Sequence, residues 1–521
     1  MRRETIVTIA ICGLFLLVQG CVGVNSSPEL LVPEPFPDAY VQDSGAGPPI
    51  QERWWESFGS EPLNLMVETA LGSNFTIREA FARLDQARAV SKERSSSLFP
   101  SLDLQAGVSQ RRTRDNGHES TVDVFSLGPA ASYEVDLWGG VRARARAGEM
   151  ASRASRLDLE TAAMTVAAEV ATTWVELVST LGELDLVKQQ LQINTMLLGL
   201  LELRFENALS TGLDLLQQQE VVARAKAQMP PLENRITTLS NRLFLLQGRA
   251  PGKTIPLEST MAKKKEPARL QGRTPGKTIP LDNTGLAELP PLPDIGIPSD
   301  LLVQRPDVRA AWLRLVAGRW DRAGAQADRL PSLNLTGSMI YQNAGLDSLF
   351  NAWILSLATN LAGNLFDGGK RAAAVDRADA VVDERLAFYE KTVFTALVEV
   401  EDALSGEIHQ RAWLGSLNKQ LETARLALQE ATNRYQKGLS DFLPLLREQL
   451  NVQGLEREII KQQAQLIIAR ISLHRSLGGT WTESLGVKQK SGTWTGSLGV
   501  GQRNGTRTDA PGVNQKTGRG G

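Results

Sequence analysis

The side chains best suited to chemistry are few in this chain and are not placed for it. Its two cysteines, Cys12 and Cys21, both lie at the start of the 521-residue sequence, and nothing after Cys21 carries a thiol. The body of the chain therefore has no disulfide, thiol nucleophile or cysteine-ligated metal available to it. Three histidines, His118, His409 and His474, are scattered and show no metal-ligand spacing. Pro-Gly-Lys-Thr occurs at 251–254 and again at 275–278, as the end of a phosphate-binding loop would read. The first glycine such a loop requires is Gln247 in one copy and Gln271 in the other, and a helical pattern rather than a strand precedes it. No nucleophile with a base can be picked out, so an enzyme is not expected, nor a cofactor or metal. A net charge of −1 gives no global field toward nucleic acid.

Cys21 is the exception. Arg2 and Arg3 precede an apolar run from Ile6 to Val18, followed by Gln19-Gly20-Cys21. A basic start, a short apolar stretch and a small residue before the cut describe an export signal, and the run is too short for a comfortable membrane span. The stretch resembles a bacterial lipobox. That resemblance implies a lipoprotein signal peptide over 1–20 and a lipidated Cys21 as the first mature residue. Val22 in place of an aspartate points, on the enteric sorting rule, to the outer membrane. Residues 21–50 are rich in Pro, Gly and Ser and read as an extended tether.

The remaining sequence has to be read as scaffold. It is rich in Ala, Leu, Gln, Arg and Glu with 6% aromatics, which favours long helices. Mean hydropathy is −0.18, too low for a multi-span helical membrane protein. A first repeat is expected over 51–248. Helical spacing runs from Pro62 to about Leu98. Strict alternation follows, with Leu102, Leu104, Ala106 and Val108 on one face. A polar loop is expected over 111–120 and a second strand over 121–135, making a hairpin across 101–135. From Val141 to Asn207 no proline interrupts the helical pattern, and at ~1.5 Å per residue that helix spans roughly 100 Å. The chain turns at 208–212, and the returning helix meets Pro230-Pro231, where a kink or break is expected.

Residues 249–298 form an insertion. LQGRAPGKTIPL at 246–257 recurs as LQGRTPGKTIPL at 270–281, with Lys263-Lys264-Lys265 between them as a solvated loop. The second repeat is expected over 299–480. A helix starts at Leu301 and carries Arg305-Pro306-Asp307-Val308-Arg309. Strands over 333–342 and 352–363 follow, giving a hairpin across 332–363. A second long helix reaches Lys437, a turn occupies 438–441, and a last helix ends near Gly478. The tail, 481–521, is polar, Gly-rich and expected to be disordered.

The duplication is clearest at the helical turns. RFENALSTGLDLLQQQ at 204–219 recurs as RYQKGLSDFLPLLREQ at 434–449. Four amphipathic strands cannot close a membrane barrel alone, because single-chain barrels begin at about eight strands. An open edge in lipid leaves backbone groups unpaired. Symmetric assembly is the default escape, and three copies would supply twelve strands. The long helices carry too many charges to lie in a bilayer, so they must project from it and present both turns to a partner.

Several stretches in combination resemble the outer-membrane efflux protein family, the TolC-like channels, and within it the lipoprotein branch of multidrug and metal efflux. They are Trp54-Trp55-Glu56-Ser57-Phe58, Arg305 through Ala311, Leu330-Pro331-Ser332-Leu333-Asn334-Leu335, Phe366-Asp367-Gly368-Gly369, and Arg434-Tyr435 with Gly438. The resemblance covers about residues 50–480. It implies a mainly α fold with a small membrane β-barrel: a homotrimer with a twelve-stranded barrel in outer-membrane lipid and an α-barrel through the periplasm. It implies passive conduction, with a periplasmic adaptor and an inner-membrane pump of the RND type as partners. A conduit for type I protein secretion and a non-conducting structural envelope lipoprotein are the alternatives. By position, Leu209, Ser210, Thr211, Gly438, Leu439 and Ser440 would face the adaptor. Leu443 and Arg447, with Asp441 and Asp214, are candidates for the pore constriction. Related channels place an acidic ring near the Arg447 position, so an arginine either changes the ring's charge or pairs with Glu448 or a neighbouring helix.

Overall fold

The computed structural model describes residues 36–41, 48, 53–115, 118–251, 286 and 289–478. Cys21, most of the tether, the tandem repeat of the insertion and the tail lie outside the described residues. Trp54–Phe58 forms a short 3-10 turn. Helices α1 (Glu61–Ser73) and α2 (Phe75–Ser96) follow, then strands β1 (Ser101–Asp115) and β2 (His118–Val135). Helices α3 (Gly140–Glu206) and α4 (Gly212–Leu246) complete the first half. The second half runs α5 (Asp300–Gln304), α6 (Pro306–Ala327), β3 (Ser332–Asn343), β4 (Trp353–Ala362), α7 (Lys370–Gln436) and α8 (Phe442–Ser476). The helical hairpins recur at a constant offset of 230 residues (Gly140 to Lys370, Glu206 to Gln436, Gly212 to Phe442).

Four sequence expectations need correction. The helical run from Pro62 to Leu98 is two helices, divided at Asn74, which takes an extended conformation. Its side-chain oxygen accepts from the N–H groups of Thr76 (2.8 Å) and Ile77 (3.3 Å), and its amide donates to the Leu246 carbonyl at 2.7 Å. Asn74 thus caps α2 and ties it to the end of α4. The helix expected to begin at Leu301 and run on is also two, because Pro306 disfavours α geometry at Arg305, which sits at φ −75°, ψ 122°. The polar loop expected over 111–120 is mostly strand. Cross-strand pairs Arg112–Glu119 (2.6 Å) and Gln110–Asp123 (2.8 Å) extend the ladder into polar sequence. Finally, of the kink or break expected at Pro230-Pro231 the break does not occur, and α4 continues through both. Both prolines are exposed, where water can reach carbonyls that lose their helical donors.

The sheet is antiparallel throughout, in the order β1-β2-β3-β4. The β2–β3 pairing joins the two halves. It lapses opposite Gly128-Pro129, since proline has no N–H for the ladder. A Cβ on Gly128 would stand 2.0 Å from the Met339 carbonyl oxygen, so only glycine fits that crossing. Leu102, Leu104, Val108, Trp353, Leu355 and Leu357 are all exposed, and β1 and β4 are free edges. No described helix is long and apolar enough to cross a membrane.

Buried apolar side chains concentrate where α6, α7 and α8 meet, around Trp312, Tyr389, Val393 and Leu473. Arg305 is anchored beside this core, donating to Asp307 (2.6 Å) and the Ser476 carbonyl (2.9 Å) and pairing with Glu399 at 2.8 Å. Arg470 is fully buried, held by Glu407 and by the carbonyls of Pro290 and Pro291. The start of the folded chain docks nearby: Trp54 stacks on His474 with ring centroids 5.4 Å apart.

Candidate functional site

The two helical turns come from sequences that start alike and close differently. In each, the turn residue after the helix adopts positive φ, Ala208 at 57° and Gly438 at 69°. The next N–H reaches back to the arginine carbonyl, Leu209 to Arg204 and Leu439 to Arg434, both at 2.8 Å. These bonds satisfy carbonyls that the helix end would otherwise orphan. Glycine holds this geometry freely, whereas Ala208 is the one non-glycine residue with positive φ among the described residues.

The returning helices differ further. Thr211 caps α4: its hydroxyl accepts from Asp214 N–H at 3.2 Å, and its own N–H donates to the Asp214 carboxylate at 3.0 Å. Ser210 Oγ adds a second contact to that carboxylate at 3.1 Å. This is a capping box, and it commits Asp214 to holding the turn. In the second turn Pro444 occupies the Asp214 position, Asp441 caps α8 without a side-chain hydrogen bond, and Ser440 Oγ has no hydrogen-bond partner among the described residues. Asp441, Leu443 and Arg447 are exposed on or beside the first turns of α8. Arg447 forms no ion pair with Glu448 or any other described residue.

The turns meet through residues to which the sequence assigns no role at the site. The Arg204 guanidinium lies over the Tyr435 ring, 4.8 Å from its centroid, and Tyr435 tilts against Phe442 at 5.7 Å. Burial pushes the Tyr435 phenol above its ordinary pKa; Asp214 adds to the rise and Arg204 opposes it.

Further along the hairpins, a buried polar cluster ties α3, α4, α7 and α8. Gln449 and Gln453 donate to Asn194 Oδ1 at 2.6 and 3.1 Å, and Gln218 donates to the Asn194 carbonyl at 2.8 Å. Gln190 donates to the Gln453 carbonyl at 3.1 Å and accepts from Arg457 at 2.6 Å. Glu456 accepts from Arg425 at 3.1 Å. Burial pushes the Glu456 carboxyl up, and hydrogen bonds and charge from Arg425 only partly offset that. A buried polar cluster at this depth, in which Gln218 Oε1 has no hydrogen-bond partner among the described residues, favours one axial register of the hairpins over others. Its signal in the sequence was a Gln or Asn at positions where helical periodicity demands an apolar residue.

The outer membrane efflux protein family matches the chain over residues 66–249 and 297–479, the two halves on either side of the insertion. The chain belongs to that family. The pyoverdine export outer membrane protein OpmQ of Pseudomonas putida is 29% identical over 82% of this chain and 88% of its own length. Outer membrane protein OprJ of Pseudomonas aeruginosa is 30% identical over 86% of this chain and 92% of its own. Among solved structures, the outer-membrane channel OprN superposes with a TM-score of 0.75 at 27% identity, over 87% of this chain and 99% of that one. The expected fold, long helices with a small four-stranded sheet, is therefore that of an outer membrane efflux protein, and efflux across the outer membrane is the family's work.

Proposed function

We propose that this chain is the outer-membrane conduit of a tripartite efflux system, assembled as a homotrimer and conducting small molecules passively outward. The observation that carries the reading is the open sheet. Its two free edges and bare apolar side chains cannot stand in lipid as one chain, and three copies joined edge to edge close a twelve-stranded barrel. The helices, α3 and α7 at 67 residues each, then extend about 100 Å from the membrane through the periplasm. Their turns, Leu209-Ser210-Thr211 and Gly438-Leu439-Ser440, face a periplasmic adaptor that links to an inner-membrane pump of the RND type.

Gating falls to the turns, where packed helices shift between two arrangements. Leu443, Asp441 and Arg447, exposed and with no side-chain hydrogen bond or ion pair among the described residues, are the candidates to line a constriction. An arginine at each of three symmetric positions would make a cationic ring, which selects against like charge. Pyoverdine in the name of OpmQ and solvent in that of another relative, SrpC, favour small molecules over protein as cargo. Cys21 carries the lipid that holds the assembly to the outer membrane. The test is native mass and lipid labelling of detergent-purified protein. Wild type is expected as a labelled trimer and Cys21→Ser as an unlabelled one. A monomeric wild type contradicts the conduit, and a labelled variant contradicts the anchor.

A further inference from the structure

Corresponding positions in the two hairpins share one geometry, so a difference in burial marks either a changed neighbour within the hairpin, as Phe442 beside Tyr435 where Gly212 stands beside Phe205, or cover by the adjacent hairpin. Tyr435 is 9% exposed and its counterpart Phe205 46%. Leu446 is 6% exposed and its counterpart Leu216 63%. The covering group in the first case is Arg204, over the Tyr435 ring. Its own counterpart, Arg434, is exposed at the turn of the second hairpin. The chain therefore ends in two unmatched halves of a contact it already makes once: an aromatic ring and a leucine on one side, a free guanidinium on the other.

We propose that a second copy of this chain completes that contact, with Arg434 of one copy lying over the Phe205 ring of the next. The occupant is fixed by the duplication, since the hairpin that covers Tyr435 and the hairpin that carries Arg434 are versions of one sequence in one geometry at a 230-residue offset (Arg204 to Arg434). Such a contact is head-to-tail, so it propagates around a closed ring. A guanidinium over an aromatic face is favourable for phenylalanine as for tyrosine. The polar lock inside the chain is not repeated at this seam: Ala424 and Ala223 stand where Asn194 and Gln453 stand. The seam between copies thus depends on the stack at the turns more than the seam within a copy does.

The inference rests on the multi-chain assembly proposed above, and its test separates the two. Phe205→Cys and Arg434→Cys are made singly and together in the full chain, and purified particles are treated with a short bismaleimide. Both positions are exposed in the single chain, so its fold is not at stake. Native mass is read on the same samples. The double variant is expected to give chain-to-chain cross-links, appearing under denaturing conditions as two- and three-chain species, and neither single variant should give any. A trimer whose double variant does not cross-link overturns the Arg434–Phe205 contact and leaves the conduit standing. A trimer whose single variants cross-link overturns it too, because like positions then meet like. A monomer overturns both.

Discussion

His474 shows how a residue without a catalytic role can still set how the protein responds to acid. It is 5% exposed, stacked on Trp54 and edge-on to Phe58. Burial, with the neighbouring Arg470 charge adding to it, pushes its imidazole from 6.5 down to about 4. The unfolded chain binds that proton first as pH falls. Proton binding therefore costs nothing above pH 6.5, and stability drops between pH 6.5 and about 4, by roughly 3 kcal/mol in all. Denaturant midpoints measured from pH 7 to 4 should fall across that window for wild type. His474→Phe, which keeps an aromatic ring against Trp54, should flatten the fall; an unchanged profile would assign it to another group. In the sequence His474 is one of three scattered histidines, and nothing in its spacing announces the Trp54 stack, which joins residues far apart along the chain.

At the scale of elements, the helical turns carry opposite solutions to one problem. Gly438 holds positive φ without strain and a Cβ there would meet nothing, so Gly438→Ala costs backbone energy alone, about 1 kcal/mol. Ala208→Gly removes a strain of the same kind and should stabilise its turn. Hydrogen exchange at the Leu439 and Leu209 amides reads each turn separately: faster at Leu439 in the first variant, slower at Leu209 in the second. Changes of the same sign would contradict the shared geometry. These elements were largely legible. Uninterrupted helical spacing marks α3 and α7, and the turns follow from Ala208-Leu209-Ser210 and Gly438-Leu439-Ser440. What periodicity could not show is where a helix is cut without losing its apolar stripe. Asn74 and Arg305 divide helices through a cap and a following proline, while Pro230 and Pro231 leave theirs continuous. The strands likewise outrun their apolar residues because Arg112, Glu119, Gln110 and Asp123 pair across the ladder.

At the scale of the whole molecule, the proposed function makes the chain a fraction of a larger closed object. Its sheet has free edges, its apolar strand faces are bare, and its first hairpin leaves Phe205 and Leu216 uncovered. Pattern alone reached the strand number, and the proposal of several copies rests on it, because backbone pairing in lipid admits no open edge. It could not reach the site in detail. Nothing in the pattern shows that the Asp214 carboxylate takes part in the Thr211 cap, or that Asn194, which reads as one more polar residue, joins three glutamines at the centre of a buried lock. The most direct measurement of the central claim is conductance of the purified wild-type particle in a planar lipid bilayer. The account predicts discrete ion-conducting steps from a trimeric particle. A trimer that inserts and passes no current would contradict it.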